Sequence, residues 1–214
     1  MLTSALLRAG ARVRAIEPDP QLAARLRHAC PTVLVVEATV LSTPWPDVPF
    51  RVVANLPFAH ATDICRALFS DPLVPLRSAH VIVEWDAAVK RARVWPSTML
   101  GVLWGAWFEL SVPRRVASAA FAPPPRVSAA VLAATRRPHP LVPACDAGAY
   151  GSFLSRAYRS GTLPPCARKL APELGIDPRA DPRDLDARAW AALWQETSAS
   201  PRTVKRMSRR RRKR

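Results

Sequence analysis

The sequence predicts an α/β protein: a mostly parallel, doubly wound sheet followed by a small helical module. Short apolar runs of strand length alternate with helix-length segments through the first part of the chain. Prolines and a glycine punctuate the junctions, as at Gly10, Pro18-Asp19-Pro20 and Pro44 to Pro49. After Pro138 the alternation gives way to helical spacing of Leu and Trp.

Taken in order, Leu2 to Arg8 reads as a short helix with Leu2 and Leu6 on one face, stopped at Gly10. Arg12 to Glu17 reads as a strand, and Pro18-Asp19-Pro20 opens a helix through Leu22 and Leu26 to His28. Thr32 to Val36 is mostly apolar, as suits a strand covered on both faces. Val52-Val53-Ala54 is a third strand, followed by a helix from Ala61 to Phe69 with Ile64 and Leu68 four apart. His80 to Glu84 reads as a strand and Trp85 to Arg93 as a helix. Trp104 to Val112 and Val127 to Thr135 are strand-like, separated by the stiff loop Phe121-Ala-Pro-Pro-Pro-Arg126, and suit an antiparallel edge. Helices are expected over Ala147–Arg159, Pro165–Leu174 and Arg183–Trp194. The expected division is 1–137 for the sheet domain, 138–197 for the helical module and 198–214 for a disordered basic tail.

Bulk properties narrow the function. A hydrophobic fraction of 49% across 214 residues supplies a core despite 23 prolines, which excludes a disordered protein. No apolar run reaches the roughly 20 residues of a membrane span, and the N-terminus does not read as a secretory signal. Cys30, Cys65, Cys145 and Cys166 are scattered, and the four histidines lack ligand spacing, so neither disulfides nor a metal site is expected. The chain reads as cytoplasmic. Its net charge is +16, from 32 Lys+Arg against 16 Asp+Glu. Nine of the basic residues fall between Pro201 and Arg214, and the remainder is still basic. Such an excess suits a polyphosphate partner, although a general bias toward Arg, Ala and Pro would produce it too.

Asn55-Leu56-Pro57-Phe58 follows the third strand, at the end where open α/β sheets bind ligands. The Asn oxygen and a backbone carbonyl near Pro57 can accept from a planar exocyclic amine while a methyl group is delivered to it. Pro57 stiffens the turn, and Phe58 offers a face for a base. Phe121, ahead of three prolines, could close over a flipped base opposite Phe58. Glu17 ends the first strand, where a carboxylate can take two hydrogen bonds from a ribose diol. Thr39 follows the next strand with a hydroxyl suited to one hydrogen bond.

These residues lie in segments that resemble the erythromycin-resistance rRNA adenine N6-methyltransferases, relatives of the small-subunit rRNA adenine dimethyltransferases. The likeness runs through Val13-Arg-Ala-Ile-Glu17-Pro-Asp19, Val52 to Phe58 with Ala61-Thr-Asp63-Ile, Val81-Ile-Val-Glu84 to Arg91, Trp95-Pro-Ser-Thr98 and Phe121 to Val131. The segments occur in family order over residues 2–137, and Asn-Leu-Pro-Phe differs from the Asp-Pro-Pro-Tyr/Phe usual in DNA adenine methyltransferases.

The resemblance implies a Rossmann-like class I methyltransferase. It would act on an adenine N6 of large-subunit (23S) rRNA, with S-adenosyl-L-methionine as donor, in the macrolide-lincosamide-streptogramin resistance type. Mapped by position, Asn55 and the Leu56–Pro57 backbone would hold the amino group, and Phe58 and Phe121 would sandwich the base. Glu17, Thr39 and Asn55 would line the cofactor site. The C-terminal module would bind RNA, and the protein would be a monomer without metal or membrane. Small-subunit rRNA dimethylation and a non-catalytic RNA-binding role are the alternatives. Two departures carry expectations of their own. There is no GxG in the chain, so the family's Gly-rich cofactor loop and the strand before it are missing. The sheet is then N-terminally incomplete, lacks its first strand, has two open strand edges, and the chain should bind the cofactor poorly. Thr39 stands where the family commonly has Asp.

Overall fold

Asp19 and Gly10 set the limits of the first helices. The computed structural model describes residues 2–93 and 95–199. By contact density the chain divides into Met1–Val48 and Pro49–Arg214. In the first unit, α1 (Leu2–Arg8) stops where Gly10 takes φ +80, letting its N–H reach the Leu7 carbonyl at 2.9 Å. β1 (Arg14–Ile16) leads to α2 (Pro20–Ala29), whose first turn is capped by the Asp19 carboxylate accepting from the Gln21 and Leu22 N–H groups. β2 (Leu34–Val36) pairs parallel with β1, Arg14 opposite Leu34 and Ile16 opposite Val36. Ala23, Cys30 and Val33 are buried beneath them.

The second unit carries β3 (Phe50–Asn55), α3 (Ala61–Phe69), β4 (Leu76–Glu84), α4 (Trp85–Ala92), α5 (Met99–Gly105), β5 (Phe108–Val116) and β6 (Ala129–Arg136). Its sheet has the order β3-β4-β6-β5. β3 and β4 are parallel, whereas β6 runs antiparallel to both β4 and β5. The antiparallel edge expected from the sequence is therefore present. The fold is mixed α/β, and its described strands form two sheets, with β1 and β3 each paired on one side only. At the other edge, Pro113 and a register shift between Ser111 and Arg114 interrupt β5, which blunts that edge against pairing.

Several boundaries differ from the sequence reading. The strand expected at Trp104 begins at Phe108, and Trp104 belongs to α5 instead. Thr98 starts that helix early, its hydroxyl accepting the Gly101 N–H at 3.1 Å. Short apolar runs without alternation do not distinguish helix from strand. β4 begins at Leu76 rather than His80, because alternate residues Leu76, Ala79, Val81 and Val83 are buried with one register shift. The helical region is α6 (Ala147–Ser160), α7 (Pro165–Leu170) and α8 (Ala187–Ala199), with short 3-10 turns at Ala171–Leu174 and Pro182–Asp184. The basic tail lies outside the described residues.

Tryptophan organises the core. Trp104, Trp107 and Trp190 are fully buried. Each indole N–H has a partner: Ser70 Oγ at 3.0 Å, the Val142 carbonyl at 2.9 Å and the Pro182 carbonyl at 3.1 Å. Trp107 meets Tyr150 of α6 edge to face, and Ser97 reaches the Tyr158 hydroxyl at 2.6 Å. The helices after Pro138 thus share a core with the sheet of their unit.

Close approach decides one glycine. A Cβ at Gly101 would lie 2.6 Å from the backbone oxygen of Arg91, where α5 crosses the end of α4. A backbone oxygen cannot swing aside as a side chain does. Gly101→Ala is expected to lower stability by about 1–3 kcal/mol, seen as a drop of several degrees in Tm; an unchanged Tm would mean the two helices part freely.

Candidate functional site

β3 ends by handing its chain to a rigid turn. Asn55 is opposite Ile82 of β4, and the next N–H, Leu56, donates to the Ile82 carbonyl at 3.1 Å. The Leu56 side chain is buried and anchors the turn, leaving Asn55 and Pro57 exposed. Pro57 has φ −62, and its carbonyl accepts the His60 N–H at 2.9 Å, which starts the 3-10 turn Phe58–His60 ahead of α3. The amphipathic α3 buries Ala61, Ile64, Cys65, Leu68 and Phe69. It thereby ties the turn to the core.

Phe121 comes from the loop between β5 and β6. β6 begins at Ala129, opposite Glu84 at the end of β4, so the loop before it emerges at the same sheet end as Asn55. A 3-10 turn over Ser118–Ala120, closed by the Phe121 N–H on the Ser118 carbonyl at 3.1 Å, sets up the aromatic residue. Phe58 and Phe121 meet with ring centroids 6.5 Å apart and planes at 73°. Both rings are half-buried. Asn55, Leu56, Pro57, Phe58 and Phe121 are thus one cluster, and none of them ionises.

Trp85 and Arg115 share this end of the sheet and are absent from the sequence-derived site. Trp85 opens α4, its N–H donating to the Ser128 carbonyl at 2.8 Å. The Arg115 guanidinium lies over its indole at 4.9 Å and donates to Ser128 Oγ at 3.1 Å. Only the doublet Arg114-Arg115 hints at the pair in the sequence, because the stack joins residues thirty positions apart.

Glu17 and Thr39 belong to the first unit, past the C-terminal ends of the parallel strands β1 and β2. Glu17 donates its N–H to the Val36 carbonyl at 3.0 Å, and its Oε1 accepts the Asp19 N–H at 3.0 Å. The Thr39 hydroxyl sits 2.8 Å from Ser42 Oγ and caps a short 3-10 turn by accepting the Ser42 N–H. It is engaged locally. Among the described residues no cluster of three or more His, Cys, Asp or Glu could hold a metal, and no helix is long and apolar enough to cross a membrane.

Beneath the turn, burial pushes the Cys65 thiol up to about 12, a shift opposed in part by the nearby Arg91 guanidinium. The thiolate is the reactive form. Cys65 should therefore resist dithionitrobenzoate in the folded protein near pH 8, while the exposed Cys145 and Cys166 react. Thiol counting before and after denaturation checks this. Fast labelling of Cys65 in the native state would show that α3 opens readily.

A family model for ribosomal RNA adenine dimethylase matches residues 1–160. The chain belongs to this family. Among curated members of related sequence, it is 31% identical over 207 residues to the mycinamicin-resistance protein MyrB of Micromonospora griseorubida, covering 91% of this chain and 66% of that protein. It is 33% identical over 144 residues to an rRNA adenine N-6-methyltransferase of Corynebacterium diphtheriae, covering 66% of this chain and 56% of that one. The dimethylase-family chain thus spans between about half and two thirds of these relatives' length. In fold it is similar to the 23S rRNA methyltransferase ErmE, with TM-score 0.73 and 23% identity over 87% of this chain and 82% of that structure. This family therefore places Asn55 to Phe58 and Phe121 within its matched region.

Proposed function

We propose that this chain is built for N6-methylation of an adenine in large-subunit rRNA, of the macrolide-lincosamide-streptogramin resistance type. The observation that carries the reading is the Asn55–Phe58 turn with Phe121 set against it. Two relatives of 31% and 33% identity are a mycinamicin-resistance protein and an rRNA adenine N-6-methyltransferase, which supports the same assignment.

In this reading the Asn55 side-chain oxygen and the Leu56 carbonyl accept the two hydrogens of the adenine amino group. The Pro57 carbonyl is already engaged by His60, which leaves Leu56 as the backbone acceptor of the turn. Holding the amine between two acceptors aims its nitrogen lone pair, so alignment rather than a strong base supplies the rate. No carboxylate or imidazole belongs to the cluster, and the proton released on methylation passes to water. The base enters between Phe58 and Phe121, which turn from edge contact toward face stacking.

S-adenosyl-L-methionine is the donor in this reading, and its sulfonium supplies the methyl group. Glu17 fits its ribose, because Oε1 is occupied by the Asp19 N–H while Oε2 remains to accept from a hydroxyl. Thr39 offers a weaker contact, since its hydroxyl already serves Ser42. The helical module over 138–197 supplies exposed cations for RNA phosphates, among them Arg156, Arg159, Arg168 and Lys169. The tail adds nine more. The protein acts in the cytoplasm as a monomer.

The test is tritiated-methyl transfer to protein-free large-subunit rRNA. It is run with the 214-residue chain and with a version extended at its N-terminus by a Gly-rich cofactor loop. Label recovered as N6-methyladenine supports the proposal. RNA binding with no transfer by either version would favour a purely RNA-binding role.

A further inference from the structure

The Arg115–Trp85 stack has no part in holding the adenine, yet it stands at the same end of the sheet. Three register facts place it there. Glu84, immediately before Trp85, is opposite Ala129; Val116, immediately after Arg115, is also opposite Ala129; and Ser128 joins the two through its carbonyl and hydroxyl. Phe121 is carried by the loop that runs between Val116 and Ser128. The stack therefore closes both ends of the connection that carries Phe121.

The guanidinium is held as a plane. It lies over the indole, 4.9 Å from the ring centroid, and one N–H donates to Ser128 Oγ. Arg115 is nevertheless exposed, and so are its neighbours Arg114 and Arg126, whereas Trp85 is half-buried. A structural cation–π pair at a sheet end gains little by leaving its guanidinium open to water. An exposed, orientation-fixed guanidinium plane beside a base-flipping site suits another partner. Flipped nucleotides drag their neighbours out of regular stacking, and unstacked bases are captured on arginine planes as readily as on aromatic rings. An arginine fork has further N–H groups that can donate to a phosphate.

We propose that Arg115, backed by Trp85, is a stacking subsite for the nucleotide flanking the target adenine in RNA. The inference rests on the RNA reading above and adds a specificity element to it. Arg115 is a positioning residue here, since it touches neither the amine nor the methyl donor.

The probe is an RNA stem-loop with an adenine in its loop, compared with the same stem-loop made abasic on both sides of that adenine. The parent chain is expected to bind the intact loop about 5- to 20-fold more tightly than the flank-abasic one, the lower part of the range for one base stacked on a planar side chain. Arg115→Ala should bring that ratio close to one. Arg115→Lys keeps the cation but has no plane, so it should keep the salt dependence of binding while losing most of the ratio. Because Lys preserves charge at this exposed position, it also guards against misfolding of the Ala variant. Phe58→Ala should leave the ratio intact, which separates this subsite from the target pocket. Parent-like ratios in both Arg115 variants would overturn the subsite and leave the RNA reading standing. Failure of the parent to bind either RNA would overturn both.

Discussion

In the N-terminally extended chain, Asn55→Ala is expected to lower methyl transfer by about a hundred- to a thousandfold while leaving RNA affinity close to that of the extended parent. The magnitude is that of removing one preorganised polar group from a reacting centre. Asn55 is the exposed last residue of β3, held by pairing with Ile82 on one side and by the buried Leu56 anchor on the other. Its backbone position therefore survives the substitution. What disappears is one of two acceptors that keep the amine planar to the pocket and its lone pair on line. Loss confined to the chemical step, with binding unchanged, identifies an interaction made as the reaction proceeds. Single-turnover transfer and filter binding on the same rRNA fragment measure the two quantities. Parent-like transfer by the variant would remove Asn55 from the mechanism.

Trp104→Ala should be the most damaging change to stability, costing about 3–5 kcal/mol. Trp104 is fully buried in α5 and packs edge to face on Phe69, the last residue of α3, at 5.3 Å. Its N–H reaches Ser70 just beyond that helix, and the Arg91 guanidinium lies 5.8 Å from its ring. Burial lowers the pKa of the half-buried Arg91. Removing the indole opens a cavity and leaves the Ser70 hydroxyl without that donor. Since α3 carries the turn that follows Asn55, the site should loosen with the core. Trp104→Phe keeps most of the volume and should recover more than half of the loss. Chemical denaturation of the three proteins checks this, and similar midpoints for all of them would show that α3 is held by other contacts.

Much of this molecule was legible in its residues, and the illegible parts have physical causes. The Asn55–Phe58 turn announced itself because a strand end, a proline and an aromatic residue occur in one continuous stretch. Phe121 was legible for the same reason, standing ahead of three prolines. The Arg115–Trp85 stack was not, since antiparallel pairing of β5 with β6 brings together residues that no local pattern links. Trp104 reads as strand from its residues because a short apolar run looks alike in both states, and the Thr98 cap that settles it is a single polar residue. Thr39 shows a different limit. Its position was readable, but its commitment to Ser42 is a local hydrogen-bond choice that residue type alone does not disclose.

In the proposed reading, the Asn55–Phe58 turn and Phe121 hold an rRNA adenine for methylation at N6. Its most direct test is nucleoside analysis after transfer of tritiated methyl from S-adenosyl-L-methionine to protein-free large-subunit rRNA, using the N-terminally extended chain. Label is expected in N6-methyladenine and is lost with Asn55→Ala. Label in any other nucleoside, or label in N6-methyladenine that persists in the variant, would contradict it.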